Sequence, residues 1–213
     1  MTISAKARAL AFVALLAAAL YLVGLWRDWP ALRLAAKPIP VACLLVRVLE
    51  QGKDRYARLI ATGLGLSALG DVLLELRGLF VAGLGAFLCA HISYIMAFLT
   101  SSRRLHLLRA VPFLLWLVPV YAKMRPGLGE MGVPVTVYVL VIAVMMWRAV
   151  ARIGEVPSAL PAAAGAILFG LSDTLIGLDR FHAPIPGVRY PIILLYWAGQ
   201  ASLSWPRPQP VPR

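Results

Sequence analysis

Two aspartates sit inside long apolar runs of the chain: Asp71 in Ser-Ala-Leu-Gly-Asp-Val-Leu-Leu-Glu and Asp173 in Phe-Gly-Leu-Ser-Asp-Thr-Leu-Ile-Gly. If these runs cross a bilayer, each carboxyl costs about 3 kcal/mol at a helix centre and calls for a partner or a function. Burial and a like-charged neighbour both disfavour ionisation, so two carboxyls sharing a cavity divide into an acid and a base. Such a pair can deliver a proton to a substrate and activate a water against it. The competing reading is structural, since a single membrane aspartate also serves as helix-helix glue or pairs with a basic residue. Glu75 and Asp179 lie at the ends of their runs, where water, Arg77 or Arg180 satisfies them.

Around the aspartates stand residues suited to supporting roles. Phe80, Phe87, His91, Tyr94 and Phe98 follow one another at spacings of seven, four, three and four, which is one stripe of a helix. Such a stripe serves packing first, but His91 and Tyr94 then share a face and His91 becomes a candidate to orient or charge a carboxylate on the preceding helix. Ser67 and Ser172 flank the two aspartates. Lys37 precedes Pro38 at the start of an apolar run, placed either to snorkel to the interface or to hold a lipid phosphate. Tyr196 and Gln200 are one turn apart, and a buried glutamine is either helix glue or a substrate contact.

Other chemistries lack their residues. The three histidines form no His-Glu-x-x-His or His-x-x-Glu-His spacing, so no metal site is expected. No Gly-x-Ser-x-Gly elbow and no Walker motif occurs, and no cofactor is expected.

The elements that must position these groups are membrane helices. Of 213 residues, 61% are apolar and only 14% charged, with a mean hydropathy of +0.82, against about a quarter charged residues in a soluble domain. The net charge of +12 is spread between apolar runs, which suits membrane flanks and excludes a nucleic-acid-binding face. Two cysteines inside apolar runs exclude a disulfide scaffold.

A spanning helix takes about 20 apolar residues, and eight candidates follow: Ala7 to Leu25, Leu34 to Leu49, Tyr56 to Leu76, Leu79 to Leu99, Leu107 to Ala122, Met131 to Val150, Ser158 to Leu178 and Tyr190 to Trp205. The expected fold is all-α, a polytopic bundle of about eight transmembrane helices forming a single membrane domain over residues 1–205, with a proline-rich tail over 206–213. Pro112 and Pro119 are expected to kink the fifth span or delay its start. The first span competes with a signal peptide, but its uncharged stretch from Ala9 to Trp26 exceeds the usual signal core and is read as a retained helix.

The two aspartate segments each place small residues before the Asp, Leu two positions after it and Phe eight or nine after it, four spans apart. This suggests a four-plus-four internal repeat. Thirteen Lys and Arg fall on one side and eight on the other, which predicts both termini in the cytoplasm.

Lys37-Pro38, Ser67, Gly70-Asp71, Leu74, Phe80, Gly83, Phe87, His91, Tyr94, Gly165-Ala166, Phe169, Ser172-Asp173, Tyr196 and Gln200 together give a pattern that resembles the YhhN-type lysoplasmalogenase family. The resemblance runs from the second span to the eighth. The last segment, Tyr196-Trp197-Ala198-Gly199-Gln200, departs from that family's Tyr-Tyr-x-Ala-Gln-x-Leu-Ile form.

The resemblance implies an eight-helix membrane enzyme that cleaves the vinyl ether of lysoplasmalogens to a fatty aldehyde and glycerophosphoethanolamine or glycerophosphocholine. On this reading Asp71 and Asp173 are the acid and base in an order left open, and Lys37 meets the headgroup phosphate. Ser67, His91, Tyr94, Ser172 and Gln200 support them. The partners are then a lysophospholipid and membrane lipid, in the plasma membrane if the source is bacterial. Two other readings of paired membrane carboxylates stand beside it, a small proton-coupled transporter and a hydrolase of another lipid.

Overall fold

The computed structural model of the protein describes residues 4–205. The tail over 206–213, including Arg207 and Arg213 of the charge count, lies outside the described residues. Among the described residues there are nine α-helices: α1 (Ala5–Trp26), α2 (Pro30–Ala36), α3 (Ile39–Gln51), α4 (Arg55–Glu75), α5 (Phe80–Ser101), α6 (Val111–Met124), α7 (Gly132–Ala151), α8 (Ala159–Phe181) and α9 (Arg189–Leu203). Among the described residues, six helical stretches are long and apolar enough to cross a membrane. α3, with 13 residues, and α9, with 15, are shorter than those six. Large apolar side chains such as Phe12, Leu15 and Leu115 point outward, the inverse of a soluble protein's surface and what a hydrocarbon solvent requires.

The expected second span is divided in the structure. Leu34 to Ala36 end α2, and α3 starts only at Ile39, because Pro38 lacks the N–H a continuing helix would need and favours a first-turn position. The fifth span begins as a 3-10 turn over Leu107–Ala110, then runs as α6 with Pro112 in its first turn and Pro119 inside. Side chains cap two helix starts: Ser4 accepts from Ala7 N at 3.1 Å and Asp54 from Ala57 N at 2.8 Å, satisfying amides that have no partner within the helix.

The chain divides within α5 into two compact units, residues 1–94 and 95–213. In the first, α4 and α5 run antiparallel in a register set by glycines. A methyl group on Gly70 would lie 2.6 Å from the ring of Phe87, and one on Gly83 would lie 2.6 Å from Leu74 Cδ2. Gly63 stands likewise against the ring of Tyr94. Gly63 and Gly70 are seven residues apart, as are Phe87 and Tyr94, so two aromatic rings of α5 settle into two gaps on α4.

In the second unit, α8 and α9 approach through glycine as well. A Cβ on Gly165 would sit 2.6 Å from Gly199 O, and one on Gly199 would sit 3.0 Å from Gly165 O. Small residues let membrane helices come this close where lipid offers no hydrophobic drive for association. Arginines then close the open carbonyl ends of two helices. Arg109 Nη1 donates to Val150, Ala151 and Ile153 O at the end of α7, and Arg148 donates to Ser102 and Arg104 O beyond α5. Arg148 and the fully buried Arg152, whose guanidinium lies 4.8 Å from the Phe98 ring centre, are therefore not solvated flanks despite their place in the charge count.

Candidate active site

Asp71 lies four residues before the end of α4 and is almost fully buried. The break between α2 and α3 puts Lys37 where its Nζ is 4.0 Å from Asp71 Oδ1 and 3.2 Å from Glu75 Oε1. Glu75, one helical turn from Asp71, also accepts from Tyr21 Oη of α1 at 3.1 Å and from Arg33 Nε of α2 at 3.4 Å. Arg33 then reaches outward to Asp28 Oδ1 at 2.7 Å. Glu75 is thus not a helix-end carboxylate left to water or Arg77: three donors from two other helices and the α2–α3 break converge on it. A charge held this way offsets a desolvation cost that an isolated one could not.

The remaining expected residues of this unit surround Asp71's helix. Ser67, one turn before Asp71, is buried with its Oγ 3.5 Å from Tyr94 Oη. His91 and Tyr94 are both fully buried, and the glycine register of α4 and α5 brings His91 level with Leu66 and Ser67. The aromatic stripe therefore packs, and it also carries two polar groups into the interior.

In the second unit, Asp173 lies eight residues before the end of α8. Tyr138, in the second turn of α7, donates its hydroxyl to Asp173 Oδ2 at 2.6 Å. Ser172 turns the other way and donates to Ile192 O of α9 at 3.0 Å, which ties α8 to α9. Gln200 is fully buried on α9, and Tyr196 meets Phe169 edge-on at 5.2 Å between ring centres. Among the described residues no group of three or more His, Cys, Asp or Glu could hold a metal ion.

Sequence reasoning missed Tyr21, Asp28, Arg33 and Tyr138, and it gave Glu75 the wrong partners. One signal was available for Glu75, since residues four apart on a helix share a face and Asp71 was already singled out. Nothing marked Tyr138, whose amphipathic ring is ordinary in an apolar helix.

Each unit thus buries or half-buries one helix aspartate beside a polar group from a preceding helix or helix break, an ammonium in ion-pair range at 4.0 Å in one unit and a phenol that donates a hydrogen bond in the other. Comparison with known proteins meets this arrangement. The family model described as YhhN matches residues 32–206, a stretch that holds both aspartates, Lys37 and Tyr138. Lysoplasmalogenase TMEM86B of Sus scrofa is 34% identical over 178 residues, covering 79% of this chain and 72% of that protein. Lysoplasmalogenase TMEM86A of Bos taurus is 36% identical over 181 residues, covering 79% and 75%. A lysoplasmalogenase of Mycobacterium bovis is 32% identical over 169 residues, covering 72% and 60%. No solved structure matches. With a family match that spans most of its length and relatives identical at about a third of the aligned positions, this helical membrane protein belongs to the YhhN family of lysoplasmalogenases.

Proposed function

We propose that this chain is a lysoplasmalogenase-type hydrolase that cleaves the vinyl ether of a lysoplasmalogen to a fatty aldehyde and glycerophosphoethanolamine or glycerophosphocholine. The observation that carries the reading is the different polar neighbour of each membrane aspartate, the Lys37 ammonium in ion-pair range of Asp71 and the Tyr138 hydroxyl hydrogen-bonded to Asp173. The names of the relatives supply the substrate class.

A vinyl ether resists nucleophiles but reacts once a proton is added to its outer alkene carbon. The resulting oxocarbenium ion takes water at the carbon bearing oxygen, and the water's proton passes to a base. The hemiacetal so formed collapses: its hydroxyl loses a proton, the carbon-oxygen bond to glycerol breaks, and the glycerol oxygen is protonated. Water is the only co-reactant. The division of labour is that of an inverting glycosidase, one carboxyl giving a proton and one carboxylate taking it.

The neighbours of each aspartate favour an order. Lys37 offers a counter-charge to an ionised Asp71, as the base requires, whereas the phenol of Tyr138 is a neutral partner for Asp173, as fits the proton donor. Ser67, His91 and Tyr94 position Asp71 or the water, and Gln200 closes the apolar interior of α9's unit. The alkenyl chain occupies apolar space among the helices. We read the chain as eight crossings in two related halves with both termini cytoplasmic; the division of the chain at residues 94 and 95, with Asp71 before it and Asp173 after it, supports the two halves, and the excess of Lys and Arg on one side supports the orientation.

The test is aldehyde release from a defined lysoplasmenyl-ethanolamine and its choline counterpart by purified protein, beside Asp71→Asn and Asp173→Asn and with a chelator arm. Chelator-resistant release that vanishes in both variants is expected. Substantial turnover in either folded variant overturns the two-carboxyl mechanism, and no release from wild type overturns the substrate.

A further inference from the structure

The charges around Asp71 form a ladder of alternating sign. Outward from the buried Asp71 come Lys37, Glu75, Arg33 and Asp28, joined at 4.0, 3.2, 3.4 and 2.7 Å. The first four side chains are mostly buried, whereas Asp28's is 88% exposed. Asp28 lies in the turn between α1 and α2, with Trp26 and Trp29 exposed on either side of it in sequence. Exposed indoles gather at the headgroup level of a bilayer, so this turn lies where a lipid headgroup lies.

Resting on the function proposed above, we infer that this ladder is a headgroup site, with Arg33 and Lys37 taking the phosphate and Asp28 taking the cationic nitrogen. Substrate and protein present their charged groups in a matching order. In an ethanolamine or choline lysoplasmalogen the vinyl ether comes first, then the glycerol, then the anionic phosphate, then the ammonium. Outward from Asp71, where the vinyl ether would react, the protein presents cations before it presents the exposed carboxylate. The charges of substrate and protein are therefore complementary along the same direction.

Arg33 uses Nε and Nη1 for Glu75 and Asp28, which leaves the Nη2 arm of its fork for a phosphate oxygen. A primary ammonium donates hydrogen bonds to Asp28. A quaternary one offers only charge, to which the neighbouring exposed Trp29 adds the face of an aromatic ring.

Asp28 has φ +46°, in the left-handed region that Asn tolerates as well as Asp. Asp28→Asn therefore removes the charge without straining the turn. The experiment uses full-length protein in zwitterionic nanodiscs and the uncleavable 1-O-alkyl lysophospholipids with ethanolamine, choline or no amine on the phosphate.

The expected result is that Asp28→Asn weakens the ethanolamine lipid about tenfold relative to the amine-free one. Arg33→Gln, with Arg33→Lys as the milder variant, weakens all three alike. Equal losses for all three lipids in Asp28→Asn, or no loss for any, overturn the assignment, as does failure of wild type to bind these lipids. Binding is read without turnover: discrimination in a protein that releases no aldehyde would sink the vinyl ether reaction and leave the headgroup site standing. Aldehyde release without discrimination would do the reverse.

Discussion

Tyr138 Oη lies 2.6 Å from Asp173 Oδ2, a hydrogen bond from the second turn of α7 to a carboxyl in α8. It is short enough to fix the orientation of the carboxyl, and its donor is neutral. If Asp173 delivers the proton, removing this donor misplaces the acid without removing it. Tyr138→Phe is expected to lower kcat for aldehyde release by about 10- to 100-fold with KM nearly unchanged. A change in KM alone would show that the bond serves substrate binding instead.

Lys37 stands between Asp71 and Glu75. Replacing it by Met leaves two mostly buried carboxyls without their shared cation, a loss of the kind that costs about 3 to 5 kcal/mol when one partner of a buried pair is removed. Lys37→Met is expected to unfold at markedly lower temperature in detergent and to lose turnover. Lys37→Arg, which keeps the charge, should recover most of the stability. Equal stability of wild type and Lys37→Met would mean that the cluster is satisfied without the ammonium.

Gly70 faces the ring of Phe87 at a distance no methyl group fits. Gly70→Ala is expected to cost about 1 to 3 kcal/mol through forced separation of α4 and α5. Because Asp71 is the next residue, activity should fall as well. The double variant Gly70→Ala with Phe87→Leu restores space and should regain part of the unfolding midpoint; no recovery would show that the close approach is not what limits the pair.

The loop after α7 carries a pH-dependent clasp. Glu155 takes hydrogen bonds from the His106 ring at 2.7 Å and from the Ser102 hydroxyl, and Arg104 Nη1 lies 3.7 Å away. These partners hold its carboxyl below the ordinary glutamate value. A carboxyl lowered on folding contributes stability that is complete above its unfolded pKa of about 4.3 and is lost as pH falls through the folded value. The difference in unfolding midpoint between wild type and Glu155→Gln should therefore be widest near neutral pH and close below about pH 4. A constant difference across that range would show that the clasp does not depend on the charge of Glu155.

Much of this protein could be read along the chain. Long uncharged runs leave a helix as the way to satisfy the backbone in lipid, so α1, α4, α5 and α8 fall close to their expected bounds. Asp71 and Asp173 stood out because charge at membrane depth is costly wherever the helix is placed, and Pro38 marked a helix start because its missing N–H acts locally.

What tertiary structure alone decided was which polar group meets which. Glu75 finds Tyr21, Arg33 and Lys37 rather than the nearby Arg77, and Ser172 bonds Ile192 although it adjoins Asp173. Tyr138 reaches Asp173 across 35 residues. A side chain's own position limits its direction only to a face of its helix. The partner depends on the register between helices, which is set by close approaches such as Gly63 to Tyr94 and Gly165 to Gly199. Hydropathy names the helices that must exist, whereas pairs separated by tens of residues are chosen when those helices pack.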